Sequence, residues 1–168
     1  EQLREAGLSK IVMMTGDSDR TAKAIAKRVG VDEYYSEVLP EDKANFVERE
    51  KQAGRKVIMI GDGINDSPAL SAADVGIAIS EGAEIAREVA DITVGADDLK
   101  EIVKLKRLSD ALMQRIRRNY RIIVGFNTGL IVCGVTGVLP PTTSALLHNT
   151  STLVIGLQSM KNLLDESE

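Results

Sequence analysis

The chain has 168 residues, of which 43% are hydrophobic and 27% charged, and its net charge is −4. This balance is ordinary for a folded chain, and the mild acidity argues against a nucleic-acid-binding surface. The single cysteine, Cys133, excludes an internal disulfide and a metal site built from cysteine pairs within these residues.

The amino-terminal part alternates between helical and strand patterns. Glu1 is not a methionine and the pattern starts midway, so we expect a carboxyl-terminal piece of a longer protein. Residues 1–8 predict a helix closing at Gly7, Lys10–Met14 predicts a buried strand, and residues 18–29 predict an amphipathic helix. The strand ends in the polar turn Thr15-Gly16-Asp17, a turn that is structural more often than functional when taken alone.

A second helix carries an unusual cation at its start. After a short predicted strand near residues 34–36, Pro40 opens a helix that runs to about Ala53. Lys43 lies in its first turn, where a positive charge opposes the helix macrodipole at a cost of roughly 0.3–1 kcal/mol. An anion held over this helix end would reverse that effect; the alternative is a solvated surface lysine.

The stretch Val57–Leu70 organises the rest of the chain. Val57–Ile60 predicts a strand buried on both faces, and Ser67 and Pro68 predict the cap and first residue of the next helix. The loop between them places Asp62 and Asp66 at the carboxyl edge of the sheet, where open α/β sheets bind ligands.

Two carboxylates on one loop repel each other unless a cation lies between them. Mg²⁺ takes oxygen ligands and commonly uses one or two carboxylates together with phosphate oxygens and water. Asp62 and Asp66 therefore predict a magnesium site, against the alternative of a solvated Asp-rich turn.

Further apolar runs complete an alternating β-α-β pattern. Residues 74–79 and 91–94 predict strands, with a helix from about residue 83 to 88 between them. Such alternation predicts a parallel sheet with right-handed crossovers. We expect this domain to cover residues 1–96.

The carboxyl-terminal part predicts helices in a different setting. Residues 97–121 form an amphipathic pattern that ends in the arginines at 115, 117, 118 and 121, and residues 122–160 contain no Asp, Glu, Lys or Arg. We expect a stalk helix over 97–121, two transmembrane helices over 122–160 and a cytoplasmic tail over 161–168. The alternative is a buried pair of core helices.

Several motifs resemble one family. The string G-D-G-I-N-D-S-P-A-L at 61–70, followed by A-A-D-V-G-I-A-I at 72–79, resembles the hinge motif of P-type ATPases, cation pumps whose phosphorylation domain has the haloacid-dehalogenase fold. T-G-D at 15–17 and P-E-D-K at 40–43 resemble that family's phosphate-site elements. The implied fold class is an incomplete haloacid-dehalogenase-like α/β parallel sheet, followed by the stalk helix and a transmembrane helical hairpin.

The resemblance implies ATP-driven export of a heavy-metal cation through an aspartyl-phosphate intermediate, since one hairpin after the phosphorylation domain is typical of metal pumps. It implies that Asp62 holds Mg²⁺ with support from Asp66, within a hinge formed by Gly61, Asp62, Gly63, Asn65 and Asp66. The phosphoryl group would meet the catalytic elements Thr15, Gly16, Asp17 and Lys43. Location in a bacterial plasma membrane follows, with the lipid bilayer as a partner and residues 1–121 cytoplasmic.

A transported-metal site is expected near the chain's one histidine. The string L-H-N-T-S-T at 147–152 resembles a segment of the last membrane helix of some heavy-metal pumps. His148, Ser151, Thr152 and Asn127 are the candidate ligands, because imidazole suits transition-metal ions. The alternative is a helix-interface histidine. The sequence does not name the metal.

The chain lacks some parts of such a pump. The Asp-Lys-Thr-Gly motif is absent, and so is a nucleotide-binding domain for ATP, so we expect the chain alone to be inactive and its sheet to have a gap beside Val57–Ile60. Two alternatives stay open. A dehalogenase-like phosphatase requires a nucleophilic Asp-x-Asp at a strand end, and none is found directly there; a non-catalytic fragment that regulates a complete pump is the other.

Overall fold

The computed structural model describes residues 1–62, 65–79, 88–95 and 100–163. Gly63, most of the predicted helix at 83–88, the predicted domain limit at Ala96, the stalk start at Asp97 and the tail beyond residue 163 lie outside the described residues. The chain divides into two units, Glu1–Val103 and Lys104–Glu168.

The first unit confirms the predicted alternation of helices and strands. Asp66 precedes the helix that follows the hinge, so the helix cap is Asp66 rather than the predicted Ser67. The elements are α1 (Gln2–Glu5), β1 (Val12–Met14), α2 (Asp19–Val29), β2 (Glu33–Tyr35), α3 (Pro40–Gln52), β3 (Ile58–Gly61), α4 (Ser67–Ala72), β4 (Val75–Ile79) and β5 (Ile92–Val94).

All strand pairs of the described residues are parallel, as predicted. They form two separate pieces, in the orders β1-β2 and β3-β4-β5. Within the described ranges β3 pairs with β4 alone, and β1 does not join its other edge. The predicted gap beside β3 is therefore confirmed.

An aspartate directly precedes each of β2, β4 and β5 and replaces one rung of the sheet ladder. Its carboxylate accepts the backbone N–H of the residue that lies opposite it on the neighbouring strand, so that strand's first donor is satisfied. The bonds run from the N–H of Ile11 to Asp32 (2.7 Å), of Val57 to Asp74 (2.9 Å) and of Gly76 to Asp91 (2.8 Å).

The core of the first unit lies between α3, α4 and β3. Val47, Met59, Ala69 and Leu70 form one buried cluster, and Met14 of β1 packs against it. Gly76 allows β4 to approach α4 closely, because a Cβ there would lie 2.6 Å from the Leu70 carbonyl oxygen. The glycines and alanines of these motifs thus fix the distance between helix and sheet.

The second unit contains most of α5 (Lys100–Val135) and all of α6 (Pro141–Ser159). α5 is one continuous helix, without a break at the predicted stalk end near Arg121. Asn119 Nδ2 donates to Ser159 Oγ at 2.7 Å, so the two helices lie side by side as a hairpin. The predicted hydrophobic stripe on α5 is largely exposed, with Leu112 at 44% and Tyr120 at 67%.

The prediction of two transmembrane helices over 122–160 is wrong for this structure. Within the described part of the chain, neither helix combines the length and the apolar character that a membrane crossing requires. The charge-free stretch after Arg121 leaves its helix at Val135, short of the about 17–25 residues of a span. In α6 the run His148–Thr152 is uncharged but polar, so absence of charge was too weak a criterion.

Replacing Asp74 by asparagine tests the ladder-replacing carboxylates. The Val57 N–H, and then the Lys56 ammonium at 2.9 Å, hold the pKa of the Asp74 carboxyl below its usual range. This carboxylate stabilises the fold above its unfolded pKa, and that contribution is lost as pH falls through the lower folded pKa. We expect Asp74→Asn to lower the urea midpoint at pH 7 and to flatten its decline below about pH 4.

Glu48→Gln is the matched control, since Glu48 is an exposed carboxylate on α3. Urea unfolding followed by circular dichroism between neutral and acidic pH gives both curves. Parallel pH profiles for wild type and Asp74→Asn would contradict this account.

Candidate functional site

The loop from β3 to α4 places its two aspartates in different surroundings. Asp62 directly follows β3 and is exposed, whereas Asp66 precedes α4 and is 8% exposed. Asn65 is exposed beside them. The predicted placement of both carboxylates at the carboxyl end of β3 is thus met, with one facing solvent and one buried.

Asp66 is paired with Lys43. The Lys43 ammonium donates to Asp66 Oδ1 at 2.6 Å, and the side chains are only 13% and 11% exposed. Burying a carboxylate alone is costly, so this partner is what makes its position tolerable. The prediction that Lys43 is a solvated surface lysine is excluded, and the cation in the first turn of α3 is explained by this anion.

Gly61 gives Asp66 the space it occupies. A Cβ at Gly61 would lie 2.5 Å from Asp66 Oδ2, 2.7 Å from its Cβ and 2.9 Å from its Cγ. Any side chain at residue 61 therefore forces the carboxylate to move. The first glycine of the hinge is required by this contact, and the described structure contains the contact without reference to any ligand.

The turn after β1 forms a second small cluster. The Thr15 hydroxyl donates to Asp17 Oδ2 at 3.0 Å and accepts the Asp17 N–H at 3.1 Å. The Thr15 N–H continues the ladder to the Tyr35 carbonyl at 3.0 Å. Gly16 lies 4.0 Å, measured from an ideal Cβ, from the Val38 carbonyl oxygen. Among the described residues, no hydrogen bond joins this cluster to Lys43 or Asp66.

One pattern was missed at this turn. Asp17 and Asp19 have the Asp-x-Asp spacing that a phosphatase nucleophile requires, although β1 ends at Met14 rather than next to Asp17. Asp19 opens α2, and its Oδ1 accepts hydroxyl bonds from Tyr34 at 3.2 Å and Ser36 at 3.4 Å. Both carboxylates are therefore engaged locally.

The donor set of the hinge fits a magnesium ion. In the described ranges no group of three or more His, Cys, Asp or Glu side chains could hold a metal, so a fully protein-built cage is absent there. Mg²⁺ commonly takes one or two carboxylates and completes its shell with water and phosphate oxygens. The exposed Asp62 suits that role directly, and Asp66 is placed by Lys43 and Gly61 on the same loop.

The second unit brings together two of the predicted transported-metal ligands. His148 Nδ1 lies 2.9 Å from Asn127 Oδ1, which joins α6 to α5. The hydroxyls of Ser151 and Thr152 instead donate to the His148 carbonyl, at 2.8 and 3.0 Å. Serine and threonine in helices commonly bond in this way, so these two hydroxyls have a structural explanation.

Similar proteins were found for most of the chain. Residues 1–74 match the haloacid dehalogenase-like hydrolase family. A manganese-exporting P-type ATPase of Mycobacterium leprae is 40% identical over 161 residues, which are 95% of this chain and 22% of that protein. A copper-transporting P-type ATPase of Rhizobium leguminosarum is 46% identical over 147 residues, 88% of this chain and 17% of that protein.

A solved structure matches in the same way. The crystal structure of a zinc-transporting PIB-type ATPase, in a phosphorylated state, has a TM-score of 0.86 and 34% sequence identity, and the match covers 98% of this chain. This chain covers 26% of that protein. The chain therefore spans about a fifth to a quarter of the length of the relatives it matches.

Gly61→Ala tests whether the hinge glycine is needed to seat Asp66. We expect the free energy of unfolding to fall by about 1–3 kcal/mol, because the new methyl group displaces Asp66 from Lys43. Thermal and urea unfolding measure the change. Gly95→Ala is the matched control, since a Cβ there meets nothing within 4 Å. Equal effects of the two substitutions would show that the space near Asp66 is not limiting.

Proposed function

Since this chain is homologous to heavy-metal P-type ATPases over most of its length and carries a haloacid dehalogenase-like hydrolase domain, we propose that it supplies the magnesium and phosphoryl site of an ATP-driven metal exporter. The remainder of the longer protein would bring the nucleotide and the aspartate that receives the phosphoryl group. The buried Lys43–Asp66 pair beside the exposed Asp62 is the observation that carries this proposal.

The charges of the site suit a phosphoryl group only when a cation is present. Lys43 and Asp66 neutralise each other, which leaves the negative charge of Asp62 facing solvent. A bound Mg²⁺ supplies two positive charges that offset both Asp62 and the phosphoryl oxygens. Without such a cation, Asp62 would repel the phosphoryl group.

Three groups of this chain would then act on the phosphoryl oxygens or hold others in place. Lys43 is oriented by Asp66 and presents a fixed ammonium charge near the start of α3. The Thr15 hydroxyl, now donating to Asp17, would turn its proton to a phosphoryl oxygen. These contacts act by placing charge and hydrogen-bond donors in advance, which is the main source of catalysis in phosphoryl transfer.

Asp62→Asn tests the magnesium role in a complete pump. The 161 matched residues of the Mycobacterium leprae ATPase are replaced by this chain, and the phosphoenzyme formed from radiolabelled ATP is measured over a range of Mg²⁺ concentrations. We expect Asp62→Asn to lower phosphoenzyme formation by roughly 10²-fold, because a direct charge on the cation is lost. Asp42→Asn, an exposed carboxylate in the first turn of α3, is the control.

An unchanged Mg²⁺ dependence in Asp62→Asn would sink the proposal. The phosphatase alternative makes a different forecast for the isolated chain: hydrolysis of a small phosphate ester that is lost in Asp17→Asn, the first residue of the Asp-x-Asp spacing. A regulatory fragment would instead change the activity of an intact pump when added in trans.

The export step would take place at a membrane, with Thr15, Lys43 and Asp62 facing the compartment that holds ATP. For the transported ion we propose the His148–Asn127 pair, in which Asn127 sets the ring orientation. Ser151 and Thr152 would add oxygen atoms, since their hydroxyls keep lone pairs while donating to the His148 carbonyl.

His148→Ala tests the transported-metal site in the same chimera. We expect zinc- and copper-stimulated ATP hydrolysis to fall at least about tenfold and manganese-stimulated hydrolysis to fall less, because imidazole suits zinc and copper better. Phosphorylation from inorganic phosphate should be unchanged. Asn149→Ala, the exposed neighbouring amide, is the control. Equal losses for all three metals would point to a structural histidine.

A further inference from the structure

An open groove of about 490 Å³ lies in the second unit, between α5 and the segment that follows α6. Four of its lining residues are arginines, and Leu163 lies on the opposite wall. The arginines are Arg115, Arg117, Arg118 and Arg121. A concave surface with this composition favours an anion.

The arginine charges are not neutralised by carboxylates within the described residues. Residues 104–163 contain a single carboxylate, Asp110, and it pairs with Lys106 one turn away. Arg117 and Arg121 are four residues apart on one helix, a spacing at which like charges destabilise each other. The sequence therefore maintains an electrostatic repulsion that an anion in the groove would relieve.

Arg115 has a different role from the other three. Its guanidinium donates to the carbonyl oxygens of Ser159 and Asn162, each at 2.9 Å, and also to that of Lys161. These are carbonyls at the carboxyl end of α6, where a cation is favourable. Arg115 thus fixes the wall of the groove, while the other three arginines remain exposed for a ligand.

We propose that this groove binds the phosphate group of an anionic ligand through Arg117, Arg118 and Arg121. The planar guanidinium matches phosphate geometry with two parallel hydrogen bonds, which makes arginine the preferred residue for such recognition. The site is separate from Lys43 and Asp66 and does not depend on their function.

The ligand chemistry has two sources, a phospholipid headgroup or a soluble phosphate. An apolar surface follows Arg121 directly, with Ile122 47% exposed and Ile123 and Phe126 both 39% exposed. Apolar side chains beside a basic cluster are a combination that binds amphiphiles with anionic headgroups. Both sources are therefore tested with the same variants.

The experiment uses the full 168-residue chain, its Arg117→Gln/Arg118→Gln/Arg121→Gln variant, and a charge-matched control. The control is Lys23→Gln/Lys27→Gln/Arg28→Gln, which removes the same charge from exposed positions of α2. One arm measures sedimentation with vesicles of phosphatidylcholine, with and without phosphatidylglycerol. The other arm measures binding of glycerol 3-phosphate and of inorganic phosphate by calorimetry. Circular dichroism confirms the fold of each variant.

We expect binding in one arm, with affinity reduced by roughly fivefold for each arginine removed. Binding that requires phosphatidylglycerol and is not displaced by glycerol 3-phosphate identifies a headgroup site. Calorimetric binding of a soluble phosphate identifies a free-phosphate site. Replacing the three arginines by lysine should weaken binding partially, because charge is kept and the paired hydrogen bonds are lost.

Three results would overturn the proposal. The wild-type chain binds in neither arm, or the α2 control loses as much affinity as the arginine variant. The third is that binding occurs only after residues 164–168 are removed. Those residues include Asp165, Glu166 and Glu168, and such a result would assign the groove to the chain's own acidic end.

Discussion

The buried pair between Lys43 and Asp66 is the interaction on which the candidate site depends. Removing one partner of such a pair leaves an uncompensated buried charge, typically at a cost of about 3–5 kcal/mol. The pair joins two segments that are 23 residues apart, so it links the start of α3 to the start of α4. It also determines which carboxylate is available: Asp66 is committed to Lys43, and Asp62 remains exposed for a cation.

The backbone around this pair is shaped to permit it. Gly61 supplies the space for Asp66, and Gly76 lets β4 lie against α4. Asp74 then aligns the starts of β3 and β4, because its N–H and its carboxylate both bond to Val57. Each of these residues falls in the hinge motif or the strand that follows it. The motif therefore specifies a local packing arrangement as well as possible ligands, and part of its sequence is explained before any ligand binds.

Much of the first unit could be predicted from the sequence because its elements are short and sharply bounded. Apolar runs that end in Gly or polar turns located β1, β3 and β4, and Pro40 located the start of α3. The contact between Lys43 and Asp66 could not be predicted from spacing, since it depends on how α3 packs against α4. The second unit shows the opposite error: counting charges over 122–160 ignored uncharged polar residues such as His148 and Asn149, and it ignored where the helix ends.

The two ends of α4 are both attached to α3, and this limits how the hinge can respond to a phosphoryl group. Lys43 holds the residue before α4, and Lys51, two turns further along α3, donates to the Ala72 carbonyl at 2.6 Å. A ligand that draws Lys43 away from Asp66 releases the first attachment and leaves the second in place. α4 has only six residues, so it would move as a rigid piece about the Lys51 contact rather than bend. A change in charge at the phosphoryl site is thereby converted into a displacement of the hinge, without a change in the sheet.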